Sequence, residues 1–174
     1  MSTPTSSSTS TLASRPVSAP SASVRIPVQE TPTPQSTAGR YVVLAGRILF
    51  VSIFLMAAPF HFSQQDLAYA VAQGVPMARL LVPASGLLAL AGALSVALGY
   101  RAKAGAWLLV LFLVPVTVSM HRFWGLHDPA TAQLQMAMFM KNLSILGGAL
   151  LISQFGAGPL SLDAARGGSR RRDI

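Results

Sequence analysis

Four long apolar runs separated by short polar breaks dominate the chain from residue 41 to residue 155. The first, Tyr41 to Phe62, carries one charge, Arg47, and the second, Leu80 to Tyr100, carries none. The third, Ala104 to Met120, is the shortest, and the fourth, Met136 to Phe155, contains Lys141. Crossing roughly 30 Å of hydrocarbon takes about 20 apolar residues at a 1.5 Å rise. Backbone groups find no water at that depth, so each run is expected to be helical. The pattern predicts an all-α membrane protein, a four-transmembrane-helix bundle.

The breaks carry helix punctuation. Ser63 and Asp66 form an S-x-x-D start and Gly74 with Pro76 a stop, which predicts a short surface helix over Gln64 to Gln73. Asp128 before Pro129 reads as an N-cap with a first-turn proline, so the fourth helix is expected to begin there, before lipid depth. Gly156, Gly158 and Pro159 end it. Residues 1–38 are rich in Ser, Thr and Pro and are expected to form a disordered tail ahead of a membrane domain at 39–163, with a basic tail at 164–174. No acid precedes Glu30, as in organellar transit peptides, but a disordered cytoplasmic extension is the simpler reading.

Composition agrees: 52% of the 174 residues are apolar and 10% charged, against roughly 25% charged in soluble domains. The net charge of +8 lies outside the apolar runs rather than along one stripe, so nucleic acid is not the expected partner. Nine Lys and Arg fall in the N-terminal tail, the loop between spans two and three, and the C-terminal tail, against Arg79 and Arg122 in the other loops. The positive-inside rule then places both termini in the cytoplasm. With no cysteine, thiol redox chemistry and thiolate metal sites are excluded.

Small residues mark expected helix contacts, because apolar side chains gain nothing by leaving lipid for one another. Ser85, Ala89, Ala93 and Ala97 recur every fourth residue beside Gly92 and Gly99, so the second span should be crowded by neighbours. Ser144 and Gly148 share a face with Lys141, which is expected to turn that cation toward the bundle. Pro59 and Pro115 each remove a helical hydrogen bond and predict bends.

Charges within the spans invite a functional reading. Arg47 shares a helical face with Phe54, Ala58 and His61, an interior stripe; the plainer alternative is snorkelling toward cytoplasmic phosphates. Lys141 has no acid inside any span, leaving Asp66 or Asp128 from the outer loops as ion-pair partners, or a ligand. The outer end gathers His61, His121, Arg122, Phe123, Trp124 and His127. Two histidines there could ligate haem or metal, but their spacing is not diagnostic and neither group is expected. Met136, Met138 and Met140 alternate and so point apart on a helix.

Taken together, Gly46-Arg47, Gly74-Val75-Pro76, Gly99-Tyr100-Arg101-Ala102-Lys103, His121-x-Phe123-Trp124, Phe139-Met140-Lys141-Asn142 and the run Gly156 to Asp163 resemble the DoxX-like membrane proteins. That resemblance implies a four-helix bacterial inner-membrane protein serving quinone-linked redox or oxidative-stress chemistry. Such a chain would be an oxidoreductase subunit with a partner redox protein rather than an enzyme alone. The expected site is an outward pocket of His61, His121, Arg122, Trp124, Lys141 and Asn142, with Arg47 as a further candidate, holding a quinone or anionic head group. The alternatives are a small-molecule transporter, with Arg47 and Lys141 lining a path, and a structural partner of another complex. A homo-oligomer is compatible with each.

Overall fold

The computed structural model describes residues 36–170, with side chains through Gly167. Most of the Ser/Thr/Pro-rich tail, together with Arg171 and Arg172, lies outside the described residues. Six α-helices follow in order: α1 (Thr37–Ala57), α2 (Gln64–Ala72), α3 (Ala78–Leu98), α4 (Ala102–Met120), α5 (Pro129–Phe155) and α6 (Leu162–Arg170). A 3-10 segment, Ala58–Phe62, joins α1 to α2. Among the described residues there is no strand.

The four expected spans are present as α1 with its 3-10 extension, α3, α4 and α5, each long and apolar enough to cross a bilayer. Large apolar side chains such as Leu49, Met56, Leu111, Leu151 and Phe155 are exposed around the perimeter. An aqueous surface of that kind would aggregate, so the surrounding solvent is lipid.

Local chemistry sets the helix ends. The Ser36 hydroxyl accepts the Gly39 amide at 3.1 Å and opens α1 two residues ahead of the expected membrane domain. Pro59 has no amide to continue the α-helical ladder, and the chain tightens there into the 3-10 segment. The Ser63 hydroxyl accepts the Asp66 amide at 3.1 Å and starts α2 where its S-x-x-D signal lies. Asp128 accepts both the amide (2.9 Å) and the hydroxyl (2.5 Å) of Thr131 and starts α5 as expected. The α4 helix continues through Pro115, and α3 carries a further interior proline, Pro83.

The Asp128 carboxyl is held below its ordinary pKa chiefly by the Thr131 hydroxyl, then by the Thr131 amide. A depressed carboxylate contributes stability above its unfolded value of about 3.9 and loses it as pH falls through the lower folded value. Protection of the first-turn amides of α5 against exchange, relative to their intrinsic rates, is therefore expected to be full above about pH 4 and to fall in stronger acid. Asp128→Asn keeps an amide-accepting cap and should abolish that pH dependence; an unchanged pH profile in the variant would refute the assignment.

The core sits between α1, α3, α4 and α5, around Val51, Phe54, Ala93, Val96, Leu109 and Ala149. Helix α3 packs against α1, α2, α4 and the 3-10 segment, the crowded position its small residues predict. A side chain on Gly92 would meet the Gly105 carbonyl at 2.9 Å, and one on Gly105 would meet the Gly92 carbonyl at 3.0 Å. Two glycines thus set the closest approach of α3 to α4.

At the end of the bundle where α1 begins and α5 finishes, the segment after α5 folds back as a clasp. Asp163 accepts the backbone amides of Arg101 (2.8 Å) and Ala102 (3.0 Å), so it caps α4 from 61 residues away. Its own amide donates to the Gly99 carbonyl at 2.9 Å. Gly99 turns at φ 65°, and any side chain there would overlap Ser161. Helix α6 takes in residues 164–170 of the expected basic tail; Ser161 caps the Ala164 amide and Arg166 lies 4.4 Å over the Tyr100 ring.

Candidate functional site

The expected site residues separate into three places. Arg47 is 6% exposed and belongs to the clasp: it donates to the carbonyls of Ala157 at 2.6 Å and Leu160 at 2.8 Å. Neither a binding stripe nor snorkelling describes it. These two carbonyls follow the end of α5 and have no helical partner, and a guanidinium supplies several donors in a fixed fork. Its Nε finds no acceptor.

Lys141 is exposed on the outer face of α5, as is Ser144. The expectation that this cation faces the bundle is corrected. The inward stripe of α5 is Asn142, Ile145, Leu146, Ala149 and Ser153, one residue on from the register assumed. Asn142, 7% exposed, is thus a core position rather than a cavity wall. Asp128 is engaged at its own cap and leaves no ion pair for Lys141.

Arg122 and Trp124 hold the loop between α4 and α5. Arg122 donates to the Gln73 carbonyl at 2.8 Å and ties that loop to the α2–α3 connection. Trp124 packs edge-on with Phe123 (5.2 Å between centroids) and Phe139 (6.0 Å). His127 is exposed.

His61 and His121 do come together, at a cavity of about 720 Å³ under α2. Its floor is apolar, from Leu88, Phe112 and Val116, and its upper rim carries His61, Asp66, Tyr69 and His121. Leu81, Ala84, Leu111 and Pro115 also line it and are exposed at the perimeter of α3 and α4, so the cavity opens sideways toward lipid. The chain brings the two histidines together because α1 and α4 run in the same direction. The 3-10 segment then turns His61 over α3, and its ring packs tilted, 5.5 Å between centroids, against Phe112 of α4. Gly86 leaves room for this, since a side chain there would lie 2.6 Å from the His61 Cβ.

Hydrogen bonds define what the rim offers. His61 Nδ1 lies 3.1 Å from the Ala57 carbonyl, and a carbonyl only accepts, so Nδ1 carries the proton. His121 Nδ1 lies 3.0 Å from Gln135 Oε1, while Gln135 Nε2 donates to the Tyr69 hydroxyl at 3.3 Å. The Ser85 hydroxyl donates to the Val82 carbonyl at 2.7 Å and the Ser119 hydroxyl to the Pro115 carbonyl at 2.6 Å. Tyr69, Ser85 and Ser119 line the cavity, and Gln135 holds His121 and Tyr69 from outside the lining; hydropathy alone reveals none of them. Asp66 is visible in the sequence, but as a cap and as an acid for Lys141. Among the described residues, no three or more of His, Cys, Asp and Glu gather as a metal site would require.

A helical bundle with an apolar perimeter and a lipid-facing cavity defines an integral membrane protein. The chain belongs to the SURF4 family, whose model matches residues 17–167. It is 30% identical over 123 residues to the ER-derived vesicles protein ERV29 of Saccharomyces cerevisiae, covering 71% of this chain and 33% of that protein. It is 28% identical over 127 residues to the inner membrane protein YphA of Escherichia coli, covering 70% of this chain and 88% of that one. The chain thus spans about a third of the length of the yeast relative and most of the bacterial one. No solved structure shows significant similarity.

The family finding overturns the resemblance to DoxX-like proteins. The motifs behind that resemblance are the tight turns, caps and end contacts of a four-span bundle: Arg47, Gly99, Arg101 and Asp163 all serve the clasp. Such features specify an architecture and do not distinguish families that share it.

Proposed function

We propose that this chain is a membrane-embedded binding protein that takes an amphiphile sideways from the bilayer, holding its head at the rim beneath α2 and its tail along α3 and α4. The cavity under α2 carries this reading. Its volume of about 720 Å³ falls in the 300–1,000 Å³ range of small-molecule sites, and an apolar floor with a few converging polar groups is the usual composition of such sites. Lipids with a hydroquinone-type ring head are one fitting class. In that case the chain binds and orients the ligand, and electron transfer falls to another polypeptide.

The name of the Escherichia coli relative supports a bacterial inner membrane as the location. The excess of Lys and Arg at the clasp end supports placing the termini in the cytoplasm. Transport along Arg47 and Lys141 finds less support, because one is locked in the clasp and the other lies on the perimeter. A partner role has one observation in its favour, the exposed Lys141, which an acid from another membrane protein would neutralise.

Filling the cavity tests the proposal. Ala84→Trp places a bulky ring at the mouth from an exposed position, so folding should survive. Mass spectrometry of solvent extracts from gently purified protein is expected to show an amphiphile in near-stoichiometric amount with the parent chain. At least fivefold less is expected with the variant at unchanged helicity. Equal amounts from both would overturn the proposal.

A further inference from the structure

The rim of the cavity is almost wholly composed of hydrogen-bond acceptors. His61 spends its proton-bearing Nδ1 on the Ala57 carbonyl, so its neutral ring presents only the Nε2 lone pair to anything else. His121 is arranged likewise through Gln135 in the observed amide orientation. Both serine hydroxyls that line the cavity have directed their hydrogens to carbonyls of their own helices, leaving lone pairs. The Asp66 carboxylate is an acceptor by nature. Among the polar side chains that line the cavity, only Tyr69 retains a hydrogen to give, because its oxygen already accepts from Gln135, which is not itself a lining residue.

We infer that the cavity selects amphiphiles whose head group donates hydrogen bonds, a paired-hydroxyl head on an apolar body, over heads that only accept. This rests on the cavity being a ligand site, as proposed above. A head group whose polar atoms are carbonyl oxygens alone would set its lone pairs against those of His61, Ser85, Ser119 and Asp66, and would lose its water without replacement. Buried polar groups left unpaired in this way discriminate strongly, more so than a difference in apolar bulk. A hydroxyl pair satisfies both itself and the rim. Two sources supply such a head, a hydroquinone and a glycerol monoester, and both carry the apolar tail that the Leu88, Phe112 and Val116 floor would cover.

The test uses the full chain in detergent micelles under argon. Three probes with ten-carbon tails are compared: a decyl hydroquinone, the corresponding decyl benzoquinone and monodecanoylglycerol. Binding is read by isothermal titration and by the rise in melting temperature. Tighter binding of one or both hydroxyl-bearing probes, by at least tenfold over the benzoquinone, is the expected result. Which of the two binds identifies the source. His61→Phe keeps the aromatic contact with Phe112 while removing the acceptor, and should shrink that ratio at least threefold.

Binding of the benzoquinone as tight as that of the hydroquinone and the glycerol ester would overturn the donor selectivity and leave the cavity as a ligand site. So would a ratio that His61→Phe leaves intact in a variant that melts like the parent. Failure of all three probes to bind would overturn the cavity reading and the selectivity with it. Should His61→Phe not accumulate, Ser119→Ala removes another acceptor at a partly buried position and is expected to narrow the same ratio; an unchanged ratio there counts against the inference.

Discussion

Replacing Arg47 with methionine is expected to destabilise the protein by about 2–4 kcal/mol, read as the midpoint of unfolding from detergent micelles. The loss follows from the two carbonyls that Arg47 serves, those of Ala157 and Leu160. Each would be left without a donor, at about 1–3 kcal/mol apiece. Part is offset because the variant no longer buries a guanidinium. Arg47→Lys should fall between the two, since one ammonium lacks the planar fork that reaches both oxygens. The segment that follows α5 should also become the first site of limited proteolysis, because Arg47 and Asp163 are its anchors to α1 and to the α3–α4 turn. A methionine variant that unfolds within about 0.5 kcal/mol of the parent, the usual range for surface changes, would show that the clasp holds without its arginine.

Larger still is the effect expected at the α3–α4 crossing. Gly105→Leu must push apart two helices whose backbones touch, since even a Cβ at that position lies 3.0 Å from the Gly92 carbonyl and overlaps Ser95. Overpacking costs about 1–3 kcal/mol where side chains can yield, but here the obstacle includes backbone. Separating the helices also forfeits contacts among Ala89, Ala93, Ala106 and Leu109. In lipid those contacts are van der Waals contacts, which fade steeply with distance and have no compensating hydrophobic gain. Gly105→Leu is therefore expected not to accumulate as a folded monodisperse species on gel filtration, and Gly105→Ala to melt well below the parent. Gly147→Leu is the control: nothing lies within 4 Å of a Cβ added there and the position is exposed, so its melting curve should match the parent. Equal behaviour of the leucine variants at 105 and 147 would refute the close-contact reading.

These two glycines look alike in the sequence, each inside an apolar run, which shows where sequence reasoning stops. Lys141 gives the same lesson. Ser144 and Gly148 suggested an inward cation, yet the helix is apolar nearly all round, so a stripe one residue further on, from Asn142 through Ala149 to Ser153, could face the core as readily. Helix α5 in water would carry an amphipathic pattern that fixes its rotation; in lipid that pattern is absent. At the cavity, His61 and His121 were legible because polar rings at the ends of two spans running in the same direction must lie at the same end of the bundle. Tyr69, Ser85, Ser119 and Gln135 were not, since nothing in their spacing says which neighbour they meet.

The chain alone settled the number of spans, the capped starts at Ser63 and Asp128, and the lipid surroundings. All of these are consequences of hydropathy and of backbone groups needing partners within a few residues. Tertiary structure decided the rest: that Arg47 and Asp163 close a clasp across 110 and 61 residues respectively, that α5 turns Lys141 outward, and that a cavity forms below α2. Contacts of that range depend on which faces pack together, and uniformly apolar helices leave that choice to shape.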